Sequence, residues 1–139
     1  MTDIEKNIVE DFNLFDEWEE KYQYIIELGQ KLPPLNPEHR TEENKIKGCQ
    51  SNVWLHSYTN NNLIYFVADS DSTFVKGEIA LLIQVLNGLT ADQILAHQLE
   101  FIDVIGLKQH LAMTRANGLA SMIKQMKAYA MANKITTQS

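Results

Sequence analysis

Apolar positions recur at helical spacing through both ends of the chain and alternate only in its middle, so the order read is helices, a small sheet, then helices. From Asp3 to Phe12, Ile4, Ile8 and Val9 share a side, and Thr2 with Glu5 has the form of a capping box; a short first helix is predicted. Asp16 with Glu19 gives a second start signal ahead of Trp18, Tyr22, Ile25, Ile26, Leu28 and Leu32, an apolar face of about four turns. Glu17, Glu19, Glu20, Lys21 and Glu27 fill the solvated side. Pro33, Pro34 and Pro37 stop that helix and predict a stiff extended connector to about Asn44, with Arg40, Glu42 and Glu43 exposed.

Three strands are predicted next: Lys45 to Lys47, Val53 to Tyr58, and Leu63 to Ala68, the last two joined as a hairpin through Asn60-Asn61-Asn62. Asp69-Ser70-Asp71-Ser72 ends the hairpin and caps a helix running to about Asn87, with Val75, Ile79, Leu82, Ile83 and Leu86 on one stripe and Gly88 just past its end. This stripe predicts the most buried helix. Thr90 with Gln93 opens a short helix to about His97, whereas Leu99 to Leu111 is compatible with strand, turn or short helix. Thr114 is read as the cap of a final helix carrying Leu119, Met122, Ile123, Met126 and Tyr129, with Ile135 to Ser139 fraying. The class is therefore α+β: one domain over residues 1–139, with a small three-stranded antiparallel sheet packed by helices on one face.

Composition narrows the functional classes. Twelve basic against eighteen acidic residues give a net charge of −6, which argues against nucleic acid and against anionic membranes as partners. The longest apolar run, Ile79 to Ile83, is too short to cross a bilayer, and the first residues lack the basic and apolar regions of a signal peptide, so a cytoplasmic protein is expected. A single cysteine, Cys49, excludes an internal disulfide and a paired-cysteine metal site.

Cys49 sits in Gly48-Cys49-Gln50-Ser51, a polar, turn-like stretch unlike the apolar run around a core cysteine, which favours a reactive thiol over a small buried hydrophobe. A cysteine hydrolase would need an imidazole base beside that thiol. His56 lies seven positions along the chain, too far unless the sheet curls, and His39, His97 and His110 read as solvated; no spacing suggests a metal site. Asp69 and Asp71 read as helix-start carboxylates, and Gly77 as a point of close packing. Arg115 with Asn117 reads equally as capping or as a contact to a loop or partner.

Several segments in order carry a resemblance over nearly the whole chain: Trp18-Glu19-Glu20-Lys21-Tyr22, Ile25-Ile26-Glu27-Leu28-Gly29, Gly48-Cys49-Gln50-Ser51 with Val53-Trp54, Asp69-Ser70-Asp71 with Val75-Lys76-Gly77, and Arg115 with Gly118-Leu119. The chain resembles the SufE family, sulfur-acceptor partners of cysteine desulfurases. The resemblance implies a SufE/IscU-like fold and a Cys49 that takes persulfide sulfur from a SufS/CsdA-like desulfurase, stimulates it, and delivers sulfur to a SufBCD-type cluster scaffold. It implies no cofactor on this chain, the pyridoxal phosphate being the partner's, and no metal, since one thiol cannot hold a cluster. Gly48, Gln50 and Ser51 are then the supporting loop, Trp54 lines a shelter for the persulfide at rest, and Asp71 and Arg115 bias the loop or meet the partner. Two alternatives stay open: a thiol-dependent hydrolase or redox enzyme using Cys49, and an adaptor with an inert cysteine.

Overall fold

The computed structural model describes residues 1–134 with their side chains and carries the backbone of the last helix to Gln138, so the fraying expected over Ile135 to Ser139 lies outside the described residues. In chain order the elements are α1 (Asp3–Asn13), α2 (Trp18–Gln30), β1 (Val53–Asn60), β2 (Leu63–Ser70), α3 (Thr73–Leu86), α4 (Ala91–Ala96), α5 (Phe101–Val104) and α6 (Met113–Gln138), with single 3-10 turns at Pro37–His39 and Lys108–His110.

The sheet has two strands, not three. Lys45 makes one bridge to Trp54, and Ile46 N–H donates to Val53 O at 2.8 Å, but the chain then peels away. Upstream the chain is already in a turn, closed by Asn44 N–H to Thr41 O and Lys45 N–H to Glu42 O; downstream β1 has no residue before Val53 to pair with, and Gly48, at φ +90°, turns the backbone toward α6. The hairpin itself follows the pattern: Asn61 and Asn62, at φ 54° and 65°, form a two-residue turn that sets Asn60 opposite Leu63 and Leu55 opposite Ala68. Val53, Leu55, Ile64, Phe66 and Ala68 are buried, whereas Trp54, His56 and Tyr58 occupy the other face.

Helix starts agree in part. Thr2 and Glu5 form the reciprocal capping box of α1, and Thr90 and Gln93 that of α4. For α2 the residue at the N-cap is Glu17, not Asp16, and no side chain caps it. Ser72 alone caps α3, accepting from Val75 N–H at 3.3 Å; Asp69 and Asp71 are engaged elsewhere. Thr114 lies inside the first turn of α6, which starts at Met113. The proline segment is not purely extended, because Asn36 accepts from Glu38 N–H and sets the 3-10 turn. The ambiguous Leu99 to Leu111 stretch resolves into α5 and the second 3-10 turn, with left-handed Leu99 and Gly106 breaking it up.

Ten of the fourteen residues of α3 are buried, as its stripe predicts. Gly77 on α3 meets Gly29 on α2, and a Cβ at Gly29 would stand 2.6 Å from the Gly77 nitrogen. The two backbones touch directly, which sets the depth at which α3 sits between α2 and the sheet. On the other side α6 contributes Leu119, Met122, Met126 and Ala130, all buried, and Tyr129 Oη donates to Leu55 O at 3.0 Å, tying the helix to β1.

Candidate functional site

The turn at Gly48 sets Cys49 against the amino-terminal half of α6. Its thiol donates to Gly118 O at 3.6 Å, and the glycine leaves room for it: a Cβ at position 118 would sit 3.8 Å from Sγ. Gly48 presses much closer to α6, since a Cβ there would stand 2.6 Å from Ser121 Oγ. Cys49 is half-buried, and its sulfur faces a cavity of about 130 Å³ between the loop, α3 and α6. Gln50 and Ser51 line the loop side, Ser72, Val75 and Glu78 the α3 side. Thr114, Arg115, Gly118 and Met122 complete it from α6.

Burial pushes the Cys49 thiol up, and the Glu78 carboxyl adds to the shift. The hydrogen bond to Gly118 also favours the protonated form, because only S–H can donate. At rest the thiol is therefore quiet. Glu78 is itself 1% exposed and its carboxyl is pushed up to about 8 by burial, against the opposing pull of Arg115. No ion pair joins Glu78 to Arg115 among the described residues; the guanidinium lies 4.8 Å above the Phe74 ring instead.

Asp71 holds the far end of the loop, accepting from Asn52 N–H at 3.1 Å and from Asn52 Nδ2 at 2.9 Å. Asp69 is buried on the outer face of the sheet, paired with Arg40 and with Lys76 at 3.3 Å. Trp54 is on that outer face too, under Arg40, whose guanidinium is 5.0 Å from the ring, and it does not line the cavity. Strand alternation explains this: Val53 and Leu55 point inward, so Trp54 points out.

Among the described residues no histidine lines the cavity. His39 stacks on His56 at 3.7 Å and His110 on Trp18 at 3.9 Å. His97 is not solvated: its side chain is 10% exposed and its Nε2 lies 3.6 Å from buried Glu5. Among the described residues no group of three or more histidines, cysteines, aspartates or glutamates could hold a metal ion, and no helix is long and apolar enough to cross a membrane.

Glu78 is the residue of this site that periodicity reasoning passes over. A signal exists, since it is the only charged residue between Lys76 and Asp92, within Gly77-Glu78-Ile79-Ala80-Leu81-Leu82-Ile83.

The profile of SufE, described as an Fe-S metabolism associated domain, matches residues 6–130. The chain belongs to the SufE family. An uncharacterized SufE-like protein of Rhizobium meliloti (strain 1021) is 40% identical over 135 residues, 94% of this chain and 96% of its own length. Another from Rhizobium etli is 42% identical over 125 residues, 86% of this chain and 84% of the relative. The solution structure of a hypothetical protein from Thermus thermophilus superimposes with a TM-score of 0.77 at 21% identity, covering 95% of this chain and 96% of that one, a likeness of fold. In this SufE-family protein the one cysteine thus sits at a polar-walled cavity within a domain associated with Fe-S metabolism.

Proposed function

We propose that the protein is a sulfur acceptor and carrier: Cys49 takes sulfane sulfur from a cysteine desulfurase, stimulating that enzyme by clearing its persulfide, and hands the sulfur to a SufBCD-type cluster scaffold in the cytoplasm. The observation that carries this reading is the setting of Cys49, a lone half-buried thiol at a cavity whose wall offers polar groups but no histidine. In the transfer step the Cys49 sulfur attacks the outer sulfur of the desulfurase persulfide. A new S–S bond forms on Cys49, the old one breaks, and the desulfurase cysteine leaves as thiolate. Exchange at sulfur needs a thiolate, access and a good leaving group, and neither an oxyanion hole nor a catalytic triad. The raised thiol and its bond to Gly118 suit a carrier that is inert alone and reactive when docking draws the Gly48–Ser51 loop off α6.

The resting shelter, on this reading, is the α3–α6 cavity, and Asp71 sets the loop's far anchor while Arg115 stands at its wall. The deciding experiment is intact mass after incubation with desulfurase and cysteine without reducing agent. A gain of one sulfur atom in wild type, absent in Cys49→Ser, is expected; no gain with the cognate desulfurase overturns the reading. A hydrolase would instead turn over substrate by itself, and no imidazole is placed for that.

A further inference from the structure

Glu78 makes no hydrogen bond or ion pair among the described residues. It stands on α3 in an otherwise apolar stretch, is 1% exposed, and its Oε2 accepts no hydrogen bond among the described residues. Burying a carboxyl without full hydrogen bonding costs free energy that an apolar side chain of similar volume would not. Two charged or titratable groups face it: Cys49 from the loop and Arg115 from α6. The rest of the shared wall is uncharged.

We propose that Glu78 is the proton acceptor of the sulfur relay, taking the Cys49 proton as sulfur arrives and returning it as sulfur leaves. This rests on the carrier reading above. In uptake, Cys49 S–H, the Glu78 carboxylate and the desulfurase persulfide R–S–SH become the Cys49 persulfide, the Glu78 carboxylic acid and the thiolate R–S⁻; one negative charge stands on each side. In delivery the acceptor's thiolate attacks the outer sulfur of Cys49–S–SH, the departing Cys49 sulfur takes the proton back from Glu78, and the carboxylate is restored. No oxidant or reductant is needed.

The electrostatics couple these two groups. While Glu78 is anionic it opposes a thiolate at Cys49; once it has taken the proton it is neutral, and the opposition is gone as the nucleophile forms. Arg115 compensates the single negative charge that the pair retains. A carboxyl poised at about 8 exchanges protons in both directions near neutral pH, with roughly a tenth in the carboxylate form at pH 7.

Two readouts on wild type, Glu78→Gln and Glu78→Asp test this. The first is the pH profile of Cys49 alkylation by iodoacetamide in the free protein; the second is single-turnover sulfur uptake from persulfidated desulfurase, followed by intact mass. Glu78→Gln should shift the alkylation midpoint to lower pH, because the anionic neighbour is gone. It should nonetheless slow sulfur uptake by about tenfold or more, the scale of a lost proton acceptor, with Glu78→Asp recovering part of the rate. A merely structural Glu78 would not move the two in opposite directions. Uptake by Glu78→Gln at the wild-type rate from pH 6 to 9, or an unmoved alkylation profile, overturns the proposal while leaving the carrier reading intact; wild type that gains no sulfur overturns the carrier reading instead. Glu78→Leu, which fills the same slot, carries the same test should the amide variant not fold.

Discussion

The Cys49 thiol and the Gly118 carbonyl stand 3.6 Å apart, a contact that joins residues 69 positions distant and holds the Gly48–Ser51 loop against α6. A Cβ at position 118 would stand 3.8 Å from the sulfur, an ordinary van der Waals contact, so a methyl fits there. Gly118→Ala should therefore be accepted and should stabilise the helix by about 0.5–1 kcal/mol, since glycine is a poor helix residue. Gly118→Val should displace the thiol. Thermal unfolding together with the iodoacetamide rate separates the two: a higher Tm with slower alkylation for alanine, and faster alkylation for valine. A lower Tm for alanine would show that the loop has less room than the geometry gives it.

Gly48→Ala should loosen the same loop from its other side. Its φ of +90° strains any L side chain, and the added Cβ would meet Ser121 Oγ at 2.6 Å. We expect a loss of about 1–3 kcal/mol and faster alkylation of Cys49. Adding Ser121→Ala removes the collision but not the backbone strain, so it should restore only part of the stability in urea denaturation. Complete restoration would mean that the backbone conformation carries no strain.

How much of this is legible in the sequence depends on the range of the interaction. Capping boxes at Thr2 and Thr90, the asparagine turn, and the α3 stripe are local patterns, and each is where the chain suggests. The third strand fails because the residues that would extend its one bridge, Glu42 to Asn44, are held in a turn by Asn44 N–H to Thr41 O and Lys45 N–H to Glu42 O. Trp54 fails as a shelter because strand parity, readable from buried Val53 and Leu55, turns it outward under Arg40. Cys49 is legible as chemistry, being the only thiol, but its partners on α3 and α6 come together only by packing. Glu78 and His97 show the limit most plainly, because their polarity reads as surface while the fold buries them.

Gly77→Ala should be among the most destabilising single-methyl changes in the chain. The new Cβ would collide with Ile25, lying 2.6 Å from its backbone carbon, and neither backbone can move without separating α2 from α3. Overpacking of this kind costs about 1–3 kcal/mol, and more where the obstacle is backbone. Gly29→Ala should behave alike. Urea midpoints check this, and an alanine variant within about 0.5 kcal/mol of wild type, the ordinary scatter of surface changes, would contradict the direct backbone contact.

Two buried carboxyls should tilt the pH dependence of stability in opposite directions. Burial raises Glu5, but hydrogen bonds from Thr2 and Phe101 and the proximity of His97 outweigh it, so its carboxyl lies below the usual range. A depressed carboxyl contributes stability that is fully present above the unfolded value of about 4.3 and is lost as pH falls through the folded value. Glu78 is the reverse case. Folded, it holds its proton up to about 8, whereas unfolded it releases it near 4.3, so the native state binds more protons between those values and stability falls as pH rises across that window. Glu5→Gln should therefore destabilise at pH 6, by about 1–3 kcal/mol for the lost charged acceptor, with the deficit shrinking toward pH 3. Glu78→Gln should gain on wild type as pH rises from 5 to 8 and add little at pH 4. Chemical denaturation of both variants at pH 4, 6 and 8 decides this; a Glu78→Gln advantage that does not grow with pH would show that Glu78 is already ionised in the fold, and with it would go the poise near neutral pH on which two-way proton exchange with Cys49 depends.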